Sequence, residues 1–198
     1  MTRPRTLAVL ALALASIAGP ALAADGSWKV DPNHSSAEFG IKHFAISTVK
    51  GVIPIKDGMV VIPDGKDIPT SVQATLDVTA INTNQAGRDK DLRSPNWFDV
   101  DKFPTATFKS TKIDGSNPTK FSIVGDLTMH GVTKPITLEA HLEGKGQGAR
   151  GDKRVAYSAI TTIHREDFGL SDAATNPMGA LVVGKDADIS LSIEAIAQ

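Results

Sequence analysis

"GDLTMHGVTKPITLEAHLEG", residues 125–144, alternates apolar and polar residues through Leu127, Met129 and Val132, then Ile136, Leu138, Ala140 and Leu142. A period of two over this length marks half-buried strands, because successive side chains of an extended chain face opposite ways. His130 and His141 lie on the opposite parity from the apolar residues of their own segments, so the stretch reads as wall. The same pattern recurs outward from it. "SWKVDPNHSSAEFGIKHF" alternates through Ala37, Phe39 and Ile41, and "SVQATLDVTAINT" through Val72, Ala74, Leu76 and Val78. "ATFKSTKI", "KFSIVGDLTMH", "KPITLEAHLEG", "RVAYSAITTIHRED" and "ADISLSIEAIA" follow in order. "VKGVIPIKDGMVVIPDG" reads as a hairpin turning at Asp57-Gly58, with a second turn signal at Pro63-Asp64-Gly65. "GKGQGARG", residues 144–151, reads as an exposed hairpin loop. The result is eight or nine strands in an antiparallel meander, with no helical period long enough to cover a parallel sheet.

Residues 1–23, "MTRPRTLAVLALALASIAGPALA", carry Arg3 and Arg5, an apolar run from Leu7 to Ala18, a Gly19-Pro20 breaker and the small-residue site Ala21-Leu22-Ala23. That is the pattern of a secretory signal peptide, too short in its apolar part to anchor in a membrane. The expected folded product is residues 24–198, one domain without stable membrane insertion. Without Arg3 and Arg5, the 21 basic residues fall to 19 against 22 acidic ones, a net charge of −3. Such a balance argues against nucleic acid as a partner. The chain has no cysteine. A lipid-anchored lipoprotein and disulfide bonds are therefore both excluded, and the core must be sufficient by itself.

One segment breaks the strand rhythm: "NQAGRDKDLRSPNWFDVDKFP", residues 84–104. Gln85 to Leu92 fit a short helix that ends ahead of Pro95. Trp97, Phe98 and Phe103 are three of the ten aromatic residues of the chain, and a plug or lid over one end of a barrel would bury them. The strands themselves either stack as a sandwich or close into a barrel, and closure removes exposed edges. A barrel of about eight strands is either filled by its own side chains or holds one small ligand.

Four blocks carry a resemblance to a known family. "GDLTMHGVTKPITLEA" resembles the most distinctive stretch of the YceI-like family of exported bacterial proteins. "DPNHSSAEFGIKHF" resembles its opening strand, "NTNQAGRDKDLRS" followed by "FDVDKFPTATF" its central insert, and "HREDFGL" its closing motif. The blocks keep the family's order and span nearly all of the chain from Trp28 onward. The resemblance implies an all-β, lipocalin-like antiparallel barrel of about eight strands with one short helical insert. It further implies a periplasmic location and an elongated apolar pore that binds polyisoprenoid or other long-chain lipids. Polyprenyl, quinone and fatty-acyl chains would all suit such a wall, and no cofactor is expected. Where the insert often reads Arg-Asp-x-His-Leu-Arg, this chain has Asp91, so a metal or head-group contact resting on that histidine is not carried over.

A lipid pore needs few polar motifs. Each buried methylene contributes roughly 0.8 kcal/mol, so three or four isoprene units in a dry tunnel offset ~10 kcal/mol of association cost. The residues expected on the chain-binding wall are Phe39, Ile41, Phe108, Phe121, Leu127 and Met129, with Trp97, Phe98 and Phe168 near the insert. As plain barrel core the same residues would also face inward. Arg88 and Arg93 in the insert and Arg165 in the closing motif suit a phosphate head group, since the guanidinium fork donates two hydrogen bonds at once. Alternatively Arg88 and Arg165 pair with Asp89, Asp91, Glu166 or Asp167 to fix the insert on the barrel. Asn82 offers an amide to either arrangement.

Two other classes compete. A metal-dependent enzyme would draw on His34, His43, His130, His141 and His164, but these occur neither as His-x-His nor as His-Glu-x-x-His. Hydrolysis has no Gly-x-Ser-x-Gly and no thiol, and no glycine-rich loop precedes a helix for nucleotide binding. The expectation is therefore a binding protein, not an enzyme. A solid barrel acting as an interaction module is the third reading, and the sequence leaves room for a homodimer.

Overall fold

In the computed structural model, which describes residues 26–171, 174–175 and 177–198, ten strands follow one another along the chain. They are β1 Ser27–Val30, β2 Ser36–His43, β3 Ser47–Ile53, β4 Ile55–Val61, β5 Ser71–Asp77, β6 Thr105–Asn117, β7 Lys120–Met129, β8 Val132–Gln147, β9 Lys153–His164 and β10 Val183–Ala197. A helix, α1 Ala86–Arg93, and two 3₁₀ turns, Val78–Ala80 and Arg165–Phe168, complete the elements. The signal segment expected over residues 1–23 lies outside the described residues.

The stretch 125–144 is part of the wall: β7 and β8 pair in a hairpin closed by the two residues His130-Gly131 between Met129 and Val132. Both turn residues have positive φ, 51° and 75°, as the hairpin turn whose twist matches the strands requires. Antiparallel pairing runs β1–β4–β5–β6–β7–β8–β9–β10 and returns to β1 through Trp28↔Ala197, which closes an eight-stranded barrel. Strand β10 is long enough to hold β2 along its first part and β1 at its end.

Two breaks in the chain shape the barrel. The Asp31–Ser35 elbow separates β1 from β2, and Pro54, which has no N–H to donate, separates β3 from β4. Beyond them β2 and β3 form an arm, while β5 leaves the wall at Asp77, whose N–H donates to the Pro54 carbonyl. The far edge of β3 meets the returning chain at a bridge between Val52 and Asn82. The insert 78–104 occupies this gap. Its helix was expected over 85–92 and forms over Ala86–Arg93, with the Gln85 side chain capping the Arg88 N–H.

The expected hairpin at Asp57-Gly58 does not form. Strand β4 is paired on both edges, with β1 through Lys29↔Met59 and with β5 through Gly58↔Ala74, so the local turn signal yields to two ladders. Gly58 admits the neighbouring strand: a Cβ there would lie 2.8 Å from the Val30 Cγ2. The turn at Pro63-Asp64-Gly65 does form, with the Lys66 N–H donating to the Pro63 carbonyl. The glycine run 144–151 is more regular than expected, since Gly144 and Gly146 still pair with Ala156 and Arg154.

The interior is packed in two halves. Around Phe108, Phe121, Ile123, Leu138, Val155 and Tyr157 lies one cluster, toward the 62–70 loop. Around Val78, Met129, Ile163, Phe168 and Leu170 lies a second, toward the insert. Leu76, Leu127 and Ile136 pack against both.

Candidate functional site

A cavity of about 300 Å³ opens at the insert end. Its wall follows strand parity: Phe39 and Ile41 from β2, Val49 and Ile53 from β3, Ile163 from β9, and Ala187 and Ile189 from β10. Met129 closes the wall at the end of β7, and Leu92, Trp97 and Phe98 come over it from the insert. The Phe39 ring lies against β3, where Gly51 leaves room: a Cβ would come within 2.4 Å of its Cζ. Polar groups stand among these walls, namely Lys42, His43, Thr83, Arg88, Asp91 and Arg165.

The insert is held by a chain of hydrogen bonds running through Thr83. Its N–H and Oγ1 both donate to Asp89 Oδ1, at 2.8 and 2.5 Å, and its Oγ1 accepts from Arg88 Nε at 2.7 Å. Arg88 Nη2 donates to the Thr83 carbonyl at 2.9 Å. These Thr83 bonds, with the fields of Arg93 and Arg88 behind them, hold the buried Asp89 carboxyl below its usual range. Arg93 Nη1 donates to the Ile81 carbonyl at 3.1 Å.

Arg165 is only 3% exposed. Its Nε donates to the Gly184 carbonyl at 2.7 Å, Nη2 to Val183 at 3.1 Å, and Nη1 to the carbonyl of Leu170. The guanidinium carbon sits 5.6 Å from the centre of the Trp97 ring. Arg165 thus ties the closing motif to the start of β10 and supports the aromatic lid by a cation–π contact.

Of the residues read from the sequence as ligand contacts, Phe39, Ile41, Arg88, Trp97, Phe98, Met129 and Arg165 line this cavity. Leu127 lies deeper, between the two packed halves. Phe108 and Phe121 belong to the far half, and Phe121 meets Tyr157 edge to face at 6.0 Å between centroids. Phe168 is 2% exposed and packs behind the lining. Asn82 turns its side chain to the Asn84 N–H, at 2.7 Å. Val49, Ile53, Ile163, Ala187 and Ile189 were missed, although correct strand boundaries with a period of two would have found them. Leu92, Leu170 and Val182 carry no periodic signal.

The histidines are dispersed. His130 Nδ1 lies 3.1 Å from the Phe168 carbonyl and its ring stacks edgewise on Phe103, joining the hairpin turn to the insert and the closing motif. His141 is on the outer face, 2.8 Å from Glu143. Among the described residues, Asp31, His34 and Glu194 bring three metal-ligand atoms within 4.8 Å of one another. Arg154 already serves that cluster as its cation: Nη1 is 3.0 Å from Asp31 Oδ2 and 2.5 Å from Glu194 Oε1, and Nε is 2.6 Å from Asp152. The cluster clamps the Asp31–Ser35 elbow, and the His34 bond holds the Asp31 carboxyl below its usual range.

A family model described as a YceI-like domain matches residues 28–195. A UPF0312 protein of Pseudomonas aeruginosa is 36% identical over 195 residues, covering 98% of each chain. Among solved structures, the YCEI protein of Campylobacter jejuni superposes with a TM-score of 0.67 at 26% identity, covering 79% of this chain and 90% of that one. A polyisoprenoid binding domain from Saccharophagus degradans superposes with a TM-score of 0.63 at 15% identity, covering 86% and 98%.

Proposed function

The chain belongs to the YceI-like family, and on that footing we propose that it is a periplasmic binding or carrier protein for a long-chain isoprenoid or related lipid. The observation that carries the reading is the cavity at the insert end, walled by Phe39, Ile41, Ile53, Phe98, Met129 and Ile189. Such a lining recognises hydrocarbon and asks for no directed chemistry. The structural likeness to a polyisoprenoid binding domain supports the ligand class. Trp97 and Phe98 cover the tail, while Lys42, Arg88 and Asp91 offer charge to a polar head. Export rests on the signal pattern of residues 1–23, and no helix among the described residues is long and apolar enough to cross a membrane.

The test is mass spectrometry of the exported protein purified without detergent. The intact mass should begin at Ala24, and an organic extract should release a prenyl, quinone or fatty-acyl lipid near one per chain. An empty protein that takes up none of these lipids on incubation would favour a solid interaction module instead.

A further inference from the structure

We infer that the rim of the cavity docks on an anionic lipid bilayer through two chain tips, the turn at Phe44–Ile46 and the loop around Met178, so that a lipid passes between bilayer and cavity without crossing water. The transfer step rests on the lipid-binding reading above; the docking step does not. Among the described residues, the two most exposed large apolar side chains are Ile46, at 80%, and Met178, at 86%. The third, Ile160, stands on the outer wall at 57%. Both tips flank the cavity. Lys42, His43 and Val49 enter its wall beside the first, and Leu170, Val182 and Val183 beside the second. The Phe44 N–H donates to the Val182 carbonyl at 3.0 Å, which ties one tip to the other. A bridge between Thr175 and Leu181 folds the second stretch back on itself, with Met178 between them.

The first tip is not built for stability alone. The Ile46 N–H donates to the His43 carbonyl at 3.0 Å across a turn in which Phe44 and Ala45 have φ of 51° and 60°. Such a turn favours Asn-Gly, because larger side chains crowd the left-handed backbone. Here it carries Phe44, whose ring lies against His43 at 4.1 Å between centroids, and then the exposed Ile46. Strain of this kind gathers where a surface is used. Charge selects the partner. Residues 42–50, KHFAISTVK, hold the exposed Lys42 and Lys50 and no acid. Residues 177–184, PMGALVVG, hold no charge, in a chain with 22 acidic against 21 basic residues. Asp186 and Glu166 nearby are paired with His164 and Lys185, and Asp91 on the insert is the one acid of the cavity wall. An apolar tip beside lysines fits the headgroup layer of an anionic bilayer, where each lysine adds about fivefold to binding.

The experiment is co-sedimentation of the lipid-free exported protein with two kinds of vesicle, phosphatidylcholine alone and phosphatidylcholine mixed with phosphatidylglycerol. Transfer of a fluorescent farnesol analogue from protein to the mixed vesicles is followed in parallel. The proposal predicts binding to mixed vesicles roughly tenfold stronger than to phosphatidylcholine alone. Ile46→Ser and Met178→Ser should each weaken that binding roughly tenfold and slow transfer with it. Their affinity for the analogue in vesicle-free buffer should be unchanged, since neither side chain lines the cavity. Ile160→Ser, the same kind of change on the outer wall, should alter neither binding nor transfer. Tip variants that bind vesicles as the wild type does, or a wild type that binds neither kind, would overturn the docking and leave the tips to a protein partner. Vesicle binding by a protein that takes up no farnesol analogue would keep the docking and remove the lipid reading.

Discussion

Thr83 shows how much one side chain carries at this site. Its hydroxyl donates to Asp89 and accepts from Arg88, and its N–H and carbonyl bond the same two groups. Thr83→Val should cost about 0.5–1.5 kcal/mol in urea unfolding, because it removes the hydroxyl's bonds while the Thr83 backbone still serves both groups. Thr83→Ser, which keeps the oxygen, should cost much less. A second residue-scale prediction concerns His164, whose Nδ1 lies 2.8 Å from Asp186 and whose Nε2 lies 3.3 Å from Glu166, itself bonded to Lys185. The Asp186 bond raises the His164 pKa above its ordinary value near 6.5. A raised folded-state pKa stabilises fully below the unfolded value and loses that contribution as pH rises through the folded one. His164→Gln should therefore lower Tm most at acid pH, with the gap from wild type closing above neutrality. A gap that widens with pH would contradict this assignment. Arg88 was visible in the sequence as a candidate, but its use was not. Its bonds to Thr83 come from the fold of the insert, and neither Thr83 nor Asp89 carries a motif.

At the scale of elements, the strands were legible and the gap between them was not. Period-two alternation located β2 and β5 to β10, because each has one face on the core. Asp57-Gly58 misled because a local turn signal says nothing about the two neighbours that hold β4 extended. The insert helix was legible from Pro95 and its polar run, whereas the departure of β5 from β3 at Pro54, which makes room for the cavity, is a matter of pairing between distant strands. Two aromatics at this end separate packing from the proposed binding. Phe168, 2% exposed, packs behind the cavity, and Phe168→Ala should cost about 3–5 kcal/mol of stability. Phe98, half-buried and facing the cavity, should cost less stability when changed to Ala. Its loss should weaken lipid binding about thirtyfold, from roughly 2 kcal/mol of aromatic burial. Urea unfolding in lipid-free buffer and a ligand titration separate the two. A Phe98→Ala protein that loses stability as Phe168→Ala does, and binds lipid unchanged, would make the insert a plug.

The whole molecule divides its barrel into a packed far half and an open insert half, and that division joins fold to function. Without disulfides, the barrel is closed by β1 on β10 and its elbow is clamped by Arg154 among Asp31, Asp152 and Glu194. The packed half supplies rigidity, and the insert half holds the cavity. The central claim is that an apolar tail enters that site beneath Trp97. Trp28 packs at the far half, so in a Trp28→Phe variant Trp97 is the one remaining tryptophan and reports on the cavity. The most direct measurement is the fluorescence of this variant, freed of lipid, during titration with farnesol. The account predicts a saturable blue shift that ends at one ligand per chain. A spectrum that stays unchanged, or drifts without saturating, would contradict it.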